Sequence, residues 1–288
     1  MKFGQIIKAI KKDHELAHEM DNLASDENRF HLWWLGQSGF LLQWKGKRVL
    51  IDPYLSDSLT KKYATTEKPH IRMSERVIDP ALLKGISIVT SSHNHTDHLD
   101  AETLSPILEN NPSINFVIPE ANRDFVAERM QCQKDYPVGL SDGRSVTLDE
   151  FTVHGMPAKH NEIERDEKGN SRYMGYVIQF DGYVIYHSGD TLWFDGLVDL
   201  LKPFSPDVAI LPINGNDPGR RVAGNLNCYE AAALAKEIGA KVVIPCHYDM
   251  FTFNTADVND FAREAKKINQ PYKILRGGEK FDSDDLLF

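Results

Sequence analysis

Ile86-Ser87-Ile88-Val89-Thr90 runs through Ser91-Ser92 into His93-Asn94-His95-Thr96-Asp97-His98, so an apolar β-like segment delivers three imidazoles and a carboxylate to one short loop. Side chains alternate along a strand, and at its end His93 and His95 fall on the same side. Asp97 and His98, two and three residues further, turn back onto a neighbouring position. Two adjacent metal sites can therefore share this loop. The bland alternative, a polar loop in a chain with 11 histidines in 288 residues, needs four ligand-type residues in six positions by coincidence. A hydrolytic metal site needs more ligands than one loop supplies and keeps a position open for water.

The rest of the chain supplies them, each time just past an apolar β-like segment. Phe151-Thr152-Val153-His154-Gly155-Met156-Pro157-Ala158-Lys159 leads to His160, Tyr183-Val184-Ile185-Tyr186-His187-Ser188-Gly189 to Asp190, and Lys241-Val242-Val243-Ile244-Pro245-Cys246 to His247. With these residues the chain resembles the metallo-β-lactamase superfamily, whose fingerprint is His-x-His-x-Asp-His followed by a distant His, an Asp and a final His. The resemblance extends from about Trp33 to Phe281. Trp33-Trp34-Leu35-Gly36, Tyr186-His187-Ser188-Gly189-Asp190 and Lys241-Val242-Val243-Ile244-Pro245 with His247 resemble the branch containing L-ascorbate-6-phosphate lactonase. Ser92-His93-Asn94-His95 with Asp97-His98-Leu99-Asp100 is also similar to N-acyl-phosphatidylethanolamine-hydrolysing phospholipase D. Asn216-Asp217-Pro218-Gly219-Arg220-Arg221 matches the lactonase's Asn-Pro-Arg-Gly segment only loosely.

The resemblance implies an α/β fold, the metallo-β-lactamase-like αβ/βα four-layer sandwich, with metals at one edge of two packed sheets. It implies that His93, His95 and His160 bind a first metal, that Asp97, His98 and His247 bind a second, and that Asp190 bridges them. Imidazole and carboxylate without thiolate suit two divalent ions, zinc or manganese, with iron also open. Two such ions can hold a bridging hydroxide, lowering a water pKa towards ~7 from ~15.7 and polarising the electrophile. Asp97 is the expected catalytic carboxylate, orienting that hydroxide and receiving its proton. The di-iron flavoprotein relatives carry a glutamate where His95 stands, which turns the reading away from redox chemistry.

Metal-bound histidines usually donate their other ring N–H to a carboxylate or carbonyl. Asp52, at the end of Arg48-Val49-Leu50-Ile51, is the candidate for that role and equally a turn residue before Pro53. Ser92 and His187 are further supporting candidates, or simply polar residues at strand edges. A second metal motif, His14-Glu15-Leu16-Ala17-His18, fits His-Glu-x-x-His. It falls in a lysine- and glutamate-rich stretch with no scaffold before it, so two exposed histidines on an amphipathic helix are expected there.

Hydrophobic content is 41%, with no apolar run near the ~20 residues of a spanning helix, and no secretory leader is visible. No membrane association and a cytoplasmic location are expected. Cys132, Cys228 and Cys246 form neither a disulfide framework nor a Cys-x-x-Cys pair, which fits a reducing compartment; Cys246 reads as small buried filler or as an occasional thiolate beside His247. The formal net charge of -9 and the lack of a basic stripe disfavour a nucleic-acid partner. The expected partner is a small-molecule substrate.

β-like runs are read at 30–42, 48–51, 85–91, 115–119, 145–154, 173–180, 183–187, 208–212 and 241–245, with helices at 101–109 and 228–238, an alternation that indicates layered α/β packing. No linker separates the halves, so 29–288 is one domain and 1–28 a helical extension. Phe3, Ile6, Ile7 and Ile10 stand at helical spacing there, to cover the same chain's sandwich or to pair with a second copy as a homo-oligomer. Three segments are expected to shape a pocket: 55–73, with several cations; 161–172, a hairpin or a lid; and 214–227, where Arg220 and Arg221, with Asn214, offer geometry for an anionic group. The favoured function is metal-dependent hydrolysis of a small polar ester or lactone, a sugar-phosphate lactone included. A phosphodiesterase and a non-catalytic metal-binding protein are the alternatives.

Overall fold

The structure is a computed structural model that describes residues 6–217, 219 and 224–286; Arg220 and Arg221 lie outside the described residues. Strands β1 (His31–Gly36), β2 (Gly39–Trp44) and β3 (Lys47–Ile51) follow helix α1 (Asp13–Asn22). Helix α2 (Ser58–Tyr63), β4 (Ile86–Thr90), α3 (Ala101–Asn110), β5 (Asn115–Pro119), α4 (Arg123–Met130) and β6 (Val138–Leu140) complete the first half. The second half contains β7 (Ser145–Leu148), β8 (Phe151–Pro157), β9 (Met174–Phe180), β10 (Tyr183–His187), α5 (Leu197–Leu201), β11 (Val208–Pro212), α6 (Cys228–Glu237), β12 (Val242–Cys246), α7 (Val258–Lys267) and β13 (Lys280–Asp282).

These form two sheets, ordered β13-β1-β2-β3-β4-β5-β6 and β12-β11-β10-β9-β8-β7. Each sheet joins antiparallel hairpins to parallel strands: β3 to β6 are parallel in the first, β10 to β12 in the second. The hairpins close where backbone with positive φ is tolerated, at Lys45-Gly46 (φ 46 and 73) and Asp181-Gly182 (φ 43 and 82), the geometry that matches strand twist.

Alternation along β1 shows how the layers arise. Leu32 and Trp34 join a core with Phe151, Val153, Ile178 and Ile210 of the second sheet. Trp33 and Leu35, pointing the other way, join Leu16 and Met20 of α1, Leu104 and Ile107 of α3 and Val126 of α4. A strand buried on both faces reads as continuously apolar, as His31-Leu32-Trp33-Trp34-Leu35-Gly36 does. Helices α5, α6 and α7 cover the far face of the second sheet through Leu197, Leu201, Leu234 and Phe261. The result is the αβ/βα four-layer sandwich.

Some boundaries differ from the sequence reading. The run 30–42 is two strands, because Gly36 (φ 97) and Gln37 (φ 50) turn the chain back; 145–154 likewise splits at Asp149 (φ 51). The helical spacing of Phe3, Ile6, Ile7 and Ile10 produces no helix over 6–12, and Phe3 lies outside the described residues. Ile7 N–H donates to Met73 O (2.8 Å) and Ile10 N–H to Gly277 O (2.8 Å), so these backbone donors are taken by distant loop segments rather than by a helix. The segment 161–172 is an exposed hairpin-like excursion with a bridge between Arg165 and Ser171, and it takes no part in the cavity described below. No helix among the described residues is long and apolar enough to cross a membrane.

Candidate metal centre

The strand directions put one set of ends together. β1, β3, β4, β8, β10 and β12 all finish at the same edge of the sandwich, where carboxyl ends of parallel strands leave an open crevice. Gln37 follows β1, Asp52 follows β3, the segment from Ser91 to His98 follows β4, His160 follows β8, Asp190 follows β10 and His247 follows β12. Three non-glycine residues here, Gln37 (φ 50), Asp52 (φ 42) and His247 (φ 62), adopt left-handed backbone, an uncommon conformation that clusters at functional sites.

The histidine loop is tied to both sheets. Tyr176 Oη donates to Ser91 O (2.9 Å) and Met174 N–H to Ser92 O (3.0 Å). From the opposite side Arg129 of α4 donates through Nη1 to Asn94 O (2.7 Å) and Leu99 O (3.1 Å). Gly189 (φ 59) lets the Asp190 loop close on this one, since a Cβ there would lie 2.8 Å from Ser92 Cβ. His187 fixes the same loop: its Nε2 is 2.8 Å from Ser38 O and its Nδ1 accepts from Gly189 N–H at 3.2 Å. Those partners define the Nε2–H tautomer, and burial pushes this imidazole's pKa down.

The ligand-type side chains converge. Ring centroids of His93 and His95 are 4.6 Å apart, those of His95 and His160 4.8 Å, and those of His93 and His160 5.7 Å. Tyr173 stacks on His160 at 5.2 Å and 20°. Beside them His98 Nε2 lies 3.3 Å from Asp190 Oδ1, and His247 Nε2 lies 3.5 Å from Asp97 Oδ2 and from Asp190 Oδ2. One ligand atom from each of His93, His98 and Asp190 falls within 4.8 Å of the others, and so does one from each of Asp97, His98 and His247.

Electrostatics divides the centre into two halves. Burial, then the neighbouring imidazoles His98 and His95, hold His93 well below the usual histidine range; burial also lowers His95 and His160. Burial opposes charge on His98 and His247 as well, but the carboxylates of Asp190 and Asp97 outweigh it. His98 is held well above its ordinary value and His247 is raised to about 9. Burial raises Asp97 and Asp190, yet His98 and His247 bring both carboxyls below their ordinary value. Two carboxylates, Asp190 buried and Asp97 half-buried, thus call for positive charge, which protons on imidazoles supply when no cation does.

The fit to a cation rests on inward-facing ligand atoms. His93 Nε2 is buried with no hydrogen bond among the described residues, and His98 Nε2 and Asp190 Oδ1, buried as well, have only each other at 3.3 Å as an ion pair with no well-formed hydrogen bond. Leaving such groups unsatisfied costs about 1–3 kcal/mol each. All three are donors of electron pairs suited to a divalent ion.

Around these side chains the supporting contacts are dense. Asp52, fully buried, lies 2.7 Å from His98 Nδ1, accepts from Ser92 N–H at 2.9 Å and Thr90 Oγ1 at 3.2 Å, and also accepts from Ser92 Oγ. Ser92 Oγ is 3.0 Å from His93 Nδ1. Gln37, which sequence reasoning did not single out, donates from Nε2 to Asp97 Oδ2 (2.8 Å) and lies 3.1 Å from His247 Nε2. Its only signal was a polar residue inside Gly36-Gln37-Ser38-Gly39 between apolar runs. Gly224 (φ 93) approaches so closely that a Cβ would meet His160 Nδ1 at 2.0 Å.

A cavity of about 430 Å³ opens over the centre, reaching Asp97, His95, His160, Asp190 and His247. Asn214 stands behind its wall, buried, donating from Nδ2 to Asn254 Oδ1 at 2.8 Å; Asn254 and Asn225 form part of the lining. His14, Glu15 and His18 are exposed on α1, and they join no metal-type cluster among the described residues. Cys246 is buried, and burial pushes its thiol up.

The chain is similar to known proteins over most of its length. A UPF0173 metal-dependent hydrolase of Methanoregula boonei is 30% identical over 257 residues, covering 88% of this chain and 97% of that protein. The metallo-beta-lactamase fold protein YhfI of Bacillus subtilis superposes with a TM-score of 0.62 at 18% identity, covering 89% of this chain and 100% of that one. An isothiocyanate hydrolase from Delia radicum gut bacteria gives 0.68 at 19% identity, covering 87% and 98%. Residues 31–247 match the family described as Beta-lactamase superfamily domain, and the chain therefore belongs to the metallo-β-lactamase superfamily, as a metal-dependent hydrolase.

Proposed function

We propose that His93, His95 and His160 hold one divalent ion, that Asp97, His98 and His247 hold a second with Asp190 between them, and that the centre hydrolyses a small polar ester or lactone, sugar-phosphate lactones included. The observation that carries this reading is the convergence of seven ligand-type side chains at one edge, with buried ligand atoms of His93, His98 and Asp190 lacking any well-formed hydrogen bond. The all-N,O donor set suits zinc or manganese and accepts iron. Bound there, such ions supply an acidified water and Lewis-acid polarisation of the scissile group.

The chain's own residues do the rest. Asp97 is the carboxylate that substrate and water can reach: its side chain is 16% exposed against 5% for Asp190. It receives the proton of the attacking water, oriented by the hydrogen bond from Gln37. Asp52 and Ser92 hold the rings of His98 and His93 by their Nδ1 atoms, which directs Nε2 of each inward. The cavity walls orient the ester and exclude bulk solvent.

The test is hydrolysis by zinc- or manganese-reconstituted protein of a panel of lactones, phosphorylated lactones and phosphodiesters. Metal-dependent turnover of lactones or esters, lowered at least a hundredfold by Asp97→Asn, is expected. Preference for phosphodiesters over every lactone and ester would overturn the substrate class in favour of a phosphodiesterase.

A further inference from the structure

We infer that the substrate is an organic anion with a flat apolar body, its charge bound by Lys62 and Arg129 and its body seated against an aromatic wall of the same cavity. This substrate class rests on the hydrolase reading above. Helix α2 brings Lys62 and Tyr63 to the cavity, and α4 brings Arg129. Neighbouring cations have carboxylate partners: Lys61 Nζ is 2.7 Å from Glu102, and Arg72 Nη1 is 3.3 Å from Asp57. Lys62 and Arg129 have none within ion-pair distance among the described residues. Lys62 Nζ instead lies 5.2 Å from the Tyr63 ring centroid, and Arg129 uses Nη1 on two backbone carbonyls. Asp100, whose charge acts on Arg129, accepts from Thr103 N–H (3.1 Å) and Thr103 Oγ1 (2.5 Å). In a chain of net charge -9, two cations without carboxylate partners on one cavity are an anion-binding arrangement.

The opposite character of the wall beside them sets the rest of the ligand. His70 stacks on Tyr63 (4.2 Å, 17°) and meets Phe253 and Phe251 edge-on at 4.5 and 5.1 Å. Its Nδ1 is 3.1 Å from Lys68 O, and burial lowers its pKa, so the ring stands neutral in the wall and does not compete for the anion. Interlocked rings form a rigid aromatic wall against which an aromatic group packs stacked or edge-on. About 430 Å³ is within the range that accommodates a compact organic ligand.

The experiment is calorimetric binding of 4-acetamidobenzoate, its neutral partner 4-acetamidobenzamide and the ring-free anion N-acetylglycine to metal-loaded protein. The benzoate is expected to bind about tenfold more tightly than either comparison compound. Lys62→Gln, at an exposed side chain, is expected to remove most of the preference over the benzamide while metal content stays unchanged. Lys62→Glu, which places a carboxylate at the same position, is expected to reverse the preference. Equal affinities in the wild type would overturn the inference, and so would a charge preference that survives both substitutions, since the carboxylate would then sit on the metals. Turnover of the ester and lactone panel is read separately. Charge preference without any turnover leaves anion binding standing and overturns the reaction; turnover without charge preference does the reverse.

Discussion

Asp52→Asn keeps the shape of a buried side chain and the left-handed backbone it occupies (φ 42), a conformation asparagine tolerates as well as aspartate. What changes is the tautomer of His98. The Oδ1 side of Asp52 receives Ser92 N–H and Thr90 Oγ1, so the amide oxygen stays there and the new NH₂ faces His98 Nδ1, 2.7 Å away. The neutral His98 ring then prefers the Nε2–H tautomer, and freeing Nε2 for an ion forfeits the Nδ1–H···carboxylate bond that keeps the wild-type ring in the binding tautomer. Losing a hydrogen bond to a charged group costs about 1.5–3 kcal/mol, or roughly 10- to 150-fold in affinity. Competition with a chromophoric chelator measures this directly, with urea unfolding as a check that the metal-free variant folds. Metal affinity within twofold of wild type would refute the tautomer argument, because nothing else in the substitution compensates for the lost carboxylate.

Three other expectations follow from single contacts. Gly224→Ala should displace His160, because its Cβ would lie 2.0 Å from Nδ1, and the left-handed backbone alone costs roughly 1–2 kcal/mol; a metal stoichiometry equal to wild type would show that His160 is not a ligand. His14→Ala and His18→Ala together should leave metal content and melting unchanged, since both rings are exposed; any loss of metal by elemental analysis would revive a second site on α1. Leu16→Ala should destabilise the chain by about 2–5 kcal/mol, because Leu16 is fully buried with Trp33, Leu35 and Leu41. A urea midpoint that does not move would mean that α1 contributes little to the sandwich.

Much of the fold is written in the residues. Apolar runs such as Ile86-Ser87-Ile88-Val89-Thr90 and Val242-Val243-Ile244-Pro245-Cys246 are strands buried on both faces, and their ligand-type residues follow directly in sequence. The sequence therefore marks the edge of the sandwich where these strands end. What periodicity misses are breaks and backbone partners. The turn at Gln37 depends on positive φ at Gly36 and Gln37, inside a run whose composition alone reads as one strand. Helix α4 buries only Val126 and Ala127, too little for an amphipathic pattern, although it carries Arg129. Helix α7, Val258-Asn259-Asp260-Phe261-Ala262-Arg263-Glu264-Ala265-Lys266-Lys267, does show one face through Phe261 and Ala265, a spacing legible in its residues. β13 is three residues long and exists because it pairs with His31-Leu32-Trp33, a partner some 250 positions away (Asp282 to His31 in the pairing).

The centre was legible by residue type, whereas its surroundings were not. Gln37 reaches Asp97 and His247 across 60 and 210 positions, a distance no local pattern reveals. The cavity wall is likewise assembled from α2, the loop after it, α4 and the chain beyond His247. Lys62 was visible only as one of several lysines in the 55–73 segment, and its lack of a carboxylate partner is a property of the fold.

Elemental analysis of the purified protein, before and after chelation and with ester hydrolysis assayed on the same samples, addresses the metal-dependent centre most directly. About two equivalents of zinc, manganese or iron are expected, lost together with activity on chelation and regained together on adding metal back; His98→Ala and Asp190→Asn should each lower metal content and abolish activity. Full hydrolysis by metal-free protein, or undiminished metal in those two variants, would contradict the assignment.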